Sequence, residues 1–505
     1  MDILQNKFAE DPASSMSEPL LVEGQSSASS ASPNSDGASS ANQQSEPLEQ
    51  IGSNTSASSA SSASAVAMPL STVRQFAYLL VAYLAFRLPW IFMLPMTEAP
   101  DEFAHFWVIK FLREHWRLPH ANEVAAGGAS SVYGSMPQLG YIPHVLACTF
   151  ADAGHFALCE RFGSTLMGAV MLFAAYKCGQ ILFAKNRLCA LALPAAIVCH
   201  PQLIFIQSYA NNDTTSSALS SLLIWLMLAT VSRGLNFGRT VWMGALVGWI
   251  AITKYSGLAI IPVLGLAMIA SIFIHGTSIA LALSSIVCAG VLAAALSVWW
   301  FVQNAQQYPG DFMGTHTMYK SWAETFHREM HYYLPPSHII KSLRWWRMTF
   351  FSYWGLFGYM NKYLWRPVYI AYVGLVLAAV LGGVGRGAIL IVNGIKAWRL
   401  GKLSSPSKAA LADSLMWGSL ALTIVVNIAS MIWASVYNYG GPQGRYLITS
   451  EIPIMALIVA GLSLLGKRLG NGVVVLFLLF SAAVSIYSWL YLFHLYNGWH
   501  FDPLH

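Results

Sequence analysis

Charged residues are scarce in this sequence. Asp, Glu, Lys and Arg make up 10% of the 505 residues, against about a quarter in ordinary soluble domains. Hydrophobic residues reach 56%, which is more than a soluble domain needs to fill its core. This balance excludes a chain of soluble domains and predicts an all-α polytopic membrane protein surrounded by membrane lipids.

Motifs for metal, disulfide and nucleotide chemistry are also missing. The six cysteines lie in or beside apolar runs without CxxC or His-paired spacing, so they predict neither a zinc site nor a disulfide framework. We interpret them as small buried hydrophobic residues. There is no glycine-rich phosphate loop and no DxD motif, and the net charge of +6 is spread over short basic clusters. A nucleotide donor and a nucleic-acid partner are therefore not expected.

The first 68 residues differ in composition from the rest. Ser, Ala, Gln, Asn and Pro dominate them, with runs such as SASSASSASA. Because such a segment buries too little apolar area to order itself, we predict a disordered cytoplasmic tail over residues 1–68 and a transmembrane domain over residues 69–505. A cleavable signal peptide is not expected, because the polar, acidic start lacks a basic segment followed by an apolar core.

Apolar runs close to the length of about 20 residues needed to cross a bilayer recur from Ser71 onward. We predict about eleven transmembrane helices, over residues 73–94, 162–183, 188–209, 214–231, 241–253, 257–275, 279–302, 367–388, 411–433, 446–466 and 471–494. The fifth is short, and the junction from Thr253 to Gly257 is typical of a break within the membrane. Such breaks line protected cavities.

The basic clusters predict the orientation, because Lys and Arg collect in cytoplasmic loops. A cytoplasmic N-terminus places four clusters on that side: Lys185 with Arg187, Arg233 with Arg239, the loop 386–408, and Lys467 with Arg468. The assignment requires outer loops over about 95–161 and 303–366. We expect short juxtamembrane helices in them, and an apolar piece from Leu139 to Phe156 that does not span.

This orientation brings polar segments to one outer face. They are residues 97–106, 209–213, 303–366 and 437–446, together with the break at Lys254. Ionisable residues at the ends of membrane spans are rarely without function. We therefore predict one shared site that faces outward.

Two adjacent acids open the first of these segments. Asp101 and Glu102 follow Pro100, and His105 stands one helical turn after Asp101 if a helix resumes there. Neighbouring carboxylates can divide acid–base work, one of them taking a proton. The alternative is an acidic helix start that interacts with the helix dipole, and the pair alone slightly favours that alternative.

The other candidates lie at later span ends. Asn212 and Asp213 begin a span, where Asn and Asp also serve as helix caps. Lys254 needs either a partner or an anionic ligand such as a lipid phosphate, unless its side chain snorkels to the interface. Arg445, in the turn-rich segment GPQGRY before Tyr446, has the planar fork that suits phosphate. The carboxylates could hold a divalent cation with His105 or Asp213, but spacing does not define a ligand set and no metal is predicted.

In their order these motifs resemble the GT-C membrane glycosyltransferases. An Asp-Glu pair follows the first span, Arg161 opens the second, an Asn-Asp pair stands at a later outer turn, and TKYSG follows. The segments PDEFAHF, FGYMNKYL and QGRYLI are most similar to the DUF2142-type bacterial membrane proteins within that group. The resemblance covers roughly residues 73 to 466.

The resemblance implies a GT-C-like bundle in the bacterial inner membrane with its active site facing the periplasm. It implies inverting transfer of a hexosyl or pentosyl group from a polyprenyl-phosphate donor to a lipid-linked saccharide, a cell-surface glycan or a protein. Asp101 would be the base, with Glu102 the next candidate, and Asp213 would match the second acidic position. Lys254 and Arg445 would match groups near the carrier phosphate. Some GT-C enzymes use a divalent cation and others do not.

Two other functions stay open at this point. A transporter or flippase also uses interrupted helices and buried cations, although the sequence shows no convincing repeated halves. A non-catalytic membrane subunit of a polysaccharide-assembly complex could keep the acidic motif for structural reasons alone. An assay of sugar transfer separates both from an enzyme.

Overall fold

The computed structural model describes residues 70–502 apart from 153, 326, 328–333, 400–406, 438–440 and 467–468. The predicted disordered tail, the basic cluster at Lys467 and Arg468, and part of the outer segment 437–446 lie outside the described residues. The α-helices in chain order are α1 Leu70–Met93, α2 Glu102–His115, α3 Ala121–Gly127, α4 Ile142–Ala147, α5 Phe156–Leu182, α6 Arg187–Cys199, α7 Pro201–Ile206, α8 Asn212–Arg233, α9 Phe237–Ala251, α10 Ile261–His275, α11 Ile279–Gln307, α12 Thr315–Thr325, α13 Pro336–Lys341, α14 Leu343–Trp354, α15 Arg366–Arg399, α16 Lys408–Val436, α17 Glu451–Ser463 and α18 Leu469–Leu495.

Within the described residues, nine helical segments are long and apolar enough to cross a membrane. They are Thr72–Met93, Phe156–Leu182, Asn212–Arg233, Tyr255–His275, Ile279–Gln307, Arg366–Gly385, Lys408–Val436, Gly444–Ser463 and Leu469–Leu495. The chain is thus an all-α polytopic integral membrane protein, as predicted. The α8 span is 83% buried and central, whereas the α11 span is 11% buried and offers most of its surface to lipid.

Two of the eleven predicted spans are too short to cross. The run 188–209 is divided at His200, whose backbone is extended (φ −79°, ψ 111°), because a residue before proline avoids the helical conformation. Its first part, α6, has 13 residues. The predicted span 241–253 is α9, whose 15 residues reach only about 22 Å at 1.5 Å per residue, less than the hydrocarbon thickness of about 30 Å.

Helix interruptions occur at two places that matter for the site. After α9 the chain is extended at Lys254 (φ −165°, ψ 126°) and continues as a 3-10 turn, Tyr255–Ile260, before α10 begins. This is the predicted break. A second 3-10 segment, Gly444–Ser450, precedes α17 within the span predicted as one helix. Each interruption carries a basic residue, Lys254 or Arg445, at its start.

The two predicted outer loops contain the short helices expected there. Helices α2, α3 and α4 and the 3-10 turns Gly128–Ser135 and Leu139–Tyr141 occupy the first loop. The second loop contains α12, α13 and α14 and then a small hairpin, in which β1 Leu356–Phe357 pairs antiparallel with β2 Lys362–Tyr363. Apart from these two short strands, the regular elements of the described residues are helices.

The cysteines are all free. Cys148, Cys178 and Cys189 are buried, in keeping with their interpretation as small hydrophobic residues. Cys288 is exposed on α11, where it faces the side of the helix that is left to lipid.

Candidate functional site

Asp101 is the N-cap residue of α2, yet its side chain does not cap the helix. Its backbone carbonyl accepts hydrogen bonds from the amides of Ala104 and His105 at 3.0 and 3.1 Å. Its backbone lies in the left-handed region at φ 62°, which Asp tolerates better than most residues. The carboxylate points away from α2 and accepts a hydrogen bond from Arg445 at 2.8 Å. The side chain of Asp101 therefore pairs with Arg445 and makes no capping hydrogen bond to α2.

The pKa of Asp101 reflects two opposing effects. Burial raises it, and the positive charge of Arg445 lowers it, with a smaller contribution from Lys254. The net pKa lies below the ordinary value, because the cation interactions together outweigh burial. Asp101 is therefore an ionised carboxylate near neutral pH, and 30% of its side chain remains exposed.

Glu102, the next residue, is occupied on both oxygens. Arg161 donates to it from Nε at 2.7 Å and from a terminal nitrogen at 2.6 Å, and the Ala210 amide donates at 2.9 Å. Arg161 also donates to the carbonyls of Ile91 and Leu94. Both charged side chains are fully buried. Glu102 and Arg161 thus join the end of α1, the start of α2 and helix α5.

Asp213 and Asn212 both contact Lys254. The ammonium group of Lys254 lies 2.7 Å from Asp213 Oδ1 and donates to Asn212 Oδ1 at 3.3 Å. The cap of α8 is Asn211, whose side chain accepts from the Thr214 amide at 2.9 Å. The sequence also allowed Asn212 or Asp213 to cap α8. Because Asn211 caps the helix, the side chains of Asn212 and Asp213 are available to contact Lys254.

The ring of Tyr446 lies close to both cations of the site. Its ring centre is 5.8 Å from the ammonium of Lys254 and 5.5 Å from the guanidinium of Arg445, both within the range of cation–π attraction. Arg445 is also within electrostatic reach of Asp213. The two ion pairs, Asp101 with Arg445 and Asp213 with Lys254, therefore form one cluster.

Close backbone packing holds Arg445 in place. The amide of Gly444 donates to Ser352 Oγ of α14 at 2.7 Å, and a Cβ atom on Gly444 would overlap the backbone of Tyr353. The Tyr353 hydroxyl donates to Glu451 at 2.8 Å, and the other oxygen of Glu451 lies 2.7 Å from His200 Nδ1. This buried network, which the sequence did not reveal, ties α14 to the segment that carries Arg445.

His105 joins the site through aromatic groups and not through a hydrogen bond to an acid. Its Nδ1 lies 2.6 Å from the Tyr141 hydroxyl, and its ring stacks on Tyr133 at 4.7 Å. Burial lowers the pKa of His105 to about 3, although the nearby charge of Asp101 acts in the opposite direction. The imidazole is therefore neutral near physiological pH. Asp101, Glu102 and His105 therefore have different hydrogen-bond partners, although Asp101 and His105 lie within electrostatic reach of each other.

A cavity of about 110 Å³ opens beside the Asp101–Arg445 pair. Its lining includes Gln202, Tyr209, Tyr359 and Gln443. Of these, Tyr209, Tyr359 and Gln443 lie in the segments YANND, FGYMNKYL and PQGRY that the sequence singled out. Gln202 had no signal beyond polarity. Among the residues that the structure describes, no group of three His, Cys, Asp or Glu side chains is placed to hold a metal ion.

Comparison with known proteins assigns no family. No protein-family model and no curated protein matches the chain, so the finer resemblance to DUF2142-type proteins has no support from them. Among solved structures, the chain is similar to ArnT from Cupriavidus metallidurans bound to undecaprenyl phosphate, with 13% identity, a TM-score of 0.44, and coverage of 86% of this chain and 76% of that chain. The apo state of ArnT gives 14% identity, a TM-score of 0.37, and coverage of 80% and 77%. Similarity this low identifies no function.

Proposed function

We propose that this chain is a GT-C type glycosyltransferase that moves a sugar from a polyprenyl-phosphate donor to an acceptor outside the cytoplasm. The observation that carries the proposal is the pairing of Asp101 with Arg445 at 2.8 Å across 344 residues, beside a cavity and a second carboxylate–cation pair. A base next to cations is what transfer from a phosphate carrier requires. The order of motifs along the sequence supports the same class.

In the proposed reaction Asp101 takes the proton of an acceptor hydroxyl. The acceptor oxygen forms a bond to C1 of the donor sugar, the bond from C1 to the phosphate oxygen breaks, and the electron pair leaves with the polyprenyl phosphate. Arg445 and Lys254 stabilise the negative charge that grows on that phosphate. Attack from the side opposite the leaving group inverts the anomeric centre.

The pairing of Asp101 with Arg445 gives a reason why the donor would bind before Asp101 acts as a base. Arg445 lowers the pKa of Asp101 in the free protein, so Asp101 is a weak base before the donor binds. A donor phosphate that draws Arg445 away would raise the pKa of Asp101 and strengthen it as a base. The Nε atom of Arg445 is buried without a hydrogen-bond partner in the described part of the chain, which leaves that edge of the guanidinium for a phosphate oxygen.

The other acids have supporting roles in this proposal. Glu102 has both oxygens engaged by Arg161 and Ala210, so it holds the backbone of Asp101 instead of taking the proton. Asp213 orients Lys254, and Asn212 assists it. The ring of Tyr446 attracts both cations through cation–π interaction.

The test is a transfer assay with purified protein. A radiolabelled polyprenyl-phosphate sugar and a lipid extract of acceptors are incubated with wild type and with Asp101→Asn, and labelled product is counted. We expect the variant to lose about 10²–10⁴-fold in rate, the usual contribution of a general base. Asp152→Asn is the matched control, because Asp152 is an exposed acid of the same outer loop. Equal rates for wild type and Asp101→Asn would remove Asp101 as the base.

A transporter or flippase is the second candidate. The two helix interruptions that carry Lys254 and Arg445 favour it, because transporters bind their substrates at interrupted helices. In that case, proteoliposomes would move a labelled polyprenyl phosphate across the bilayer without forming any glycosylated product. If the protein is a transferase, glycosylated product forms whether or not the labelled polyprenyl phosphate crosses the bilayer.

A further inference from the structure

Gln202 presents an unused hydrogen-bond donor to the cavity beside Asp101. Its side-chain oxygen accepts from the Leu356 amide of the hairpin at 2.8 Å. Because a backbone N–H can only donate, the oxygen must face Leu356 and the amide nitrogen must face the other way. Gln202 lines the cavity and is 5% exposed, and the hydrogen bond to Leu356 engages its oxygen and not its nitrogen. A donor that reaches a cavity can be met there by a ligand or by water.

The charges on the cavity wall cancel. Asp101 and Arg445 are the charged residues of its lining, and they pair with each other at 2.8 Å. The remaining polar groups are neutral amides and hydroxyls, from Gln202, Gln443, Ser352, Tyr209 and Tyr359. An anionic ligand would meet the Asp101 carboxylate, and a cationic ligand would compete with Arg445 for it. The wall therefore favours a neutral ligand with several hydroxyl groups.

The size of the cavity and its apolar surface further limit the kind of ligand that can bind. Its volume is about 110 Å³, and each water-sized group needs roughly 10–15 Å³ of such space. Phe205, Leu356 and Met360 belong to the apolar part of its wall, a surface for the C–H face of a ring. The cavity thus holds about 7–11 such groups, enough for one ring with some of its substituents. The other substituents, or further units of a longer saccharide, would extend out of the cavity.

We infer that this cavity binds a single neutral hydroxylated ring, and that Gln202 donates a hydrogen bond from its amide nitrogen to a ring oxygen. The inference rests on the proposed function, in which this ring is the acceptor unit whose hydroxyl faces Asp101.

Saturation-transfer NMR with protein in a polyoxyethylene detergent, which has no sugar headgroup, tests this inference. The probes share one ring framework: neutral methyl glucoside, galactoside and mannoside, anionic methyl glucuronide and cationic methyl glucosaminide. We expect at least one neutral probe to bind, the charged probes to bind at least fivefold more weakly, and Gln202→Met to weaken the neutral probe at least fivefold. Gln138→Met is the matched control, because Gln138 is a buried glutamine bonded through both ends to Gly134 and Trp300.

Gln202 could affect ring binding in two ways: its nitrogen could donate to the ring, or its oxygen could hold the hairpin through the Leu356 amide. Hydrogen exchange of the hairpin peptide 356–363 distinguishes the two. Continued protection in Gln202→Met, together with lost ring binding, supports the donor role. If exchange rises as binding falls, the hold on the hairpin explains the loss and the inference is overturned. Binding of no neutral probe, or equal binding of the glucuronide, overturns it as well. Failure of the proposed function is recognised separately, since it appears as the absence of sugar transfer by the wild-type protein.

Discussion

Arg161 holds both carboxylate oxygens of Glu102, at 2.7 and 2.6 Å, directly beside the proposed base Asp101. The pair is fully buried, and removal of one partner from a buried ion pair leaves the other charge uncompensated. This relationship makes Glu102 part of the support of the site and leads to a prediction about stability.

We expect Glu102→Ala to lower the free energy of unfolding by about 3–5 kcal/mol, the usual effect of breaking a buried pair. Denaturation of purified protein in detergent, followed by tryptophan fluorescence, measures it. Glu123→Ala is the control: its pair with Arg117 is partly exposed and it accepts from the His120 amide at the start of α3, so its loss should cost about 1 kcal/mol. Similar small effects for both variants would contradict the assignment of Glu102 as a buried support.

The glycines of the segment before Arg445 differ in the space around them. A Cβ atom on Gly444 would overlap the backbone of Tyr353, whereas one on Gly441 would meet its nearest neighbour, Gln443, only at 4.0 Å. We expect Gly444→Ala to displace Arg445 and to reduce sugar transfer and affinity for farnesyl phosphate at least tenfold. Gly441→Ala should behave as wild type. Unchanged binding in Gly444→Ala would show that this packing does not position Arg445.

His105 should make the folded protein sensitive to acid. Burial lowers its pKa from 6.5 to about 3 in the folded protein. Between about pH 6.5 and 3, His105 is therefore protonated in the unfolded chain and neutral in the folded one. Stability therefore decreases as the pH falls from 6.5 towards 3, by about 1.4 kcal/mol per pH unit at most. His144 acts in the same direction, since burial lowers its pKa to about 3 as well.

Melting temperatures at pH 7.5, 6.5 and 5.5 check this expectation. His105→Gln should reduce the fall in melting temperature between pH 6.5 and 5.5, and the part due to His144 should persist. The exposed His155 provides a control variant, His155→Gln, with the wild-type slope. An unchanged slope in His105→Gln would mean that His105 does not remain neutral in the fold.

The orientation in the membrane is a prediction that labelling can check. In a background without native cysteines, Asp152→Cys in the first outer loop should react with an impermeant maleimide from outside intact cells. Lys185→Cys should react only after the cells are opened, because Lys185 belongs to the basic clusters assigned to the cytoplasm. Both positions are exposed. Labelling of Asp152→Cys only in opened cells would reverse the topology and place the site on the cytoplasmic side.

Most spans and the break at Lys254 could be predicted from the sequence, since hydropathy and run length are local properties that lipid imposes directly on the chain. The two predicted spans that are wrong depended on local conformation. Pro201 ends a helix that hydropathy alone continues, and α9 stops at Ala251 before it reaches a crossing length.

The sequence by itself determined the kind of residue at the site and its place at span ends, because ionisable groups are tolerated in so few positions of an apolar chain. Only the tertiary structure decided the partners. Asp101 pairs with Arg445, Glu102 with Arg161 and His105 with Tyr141, and none of these pairings follows from neighbourhood along the chain. They follow from which helices pack together, since a buried charge is stable only where packing brings it a partner.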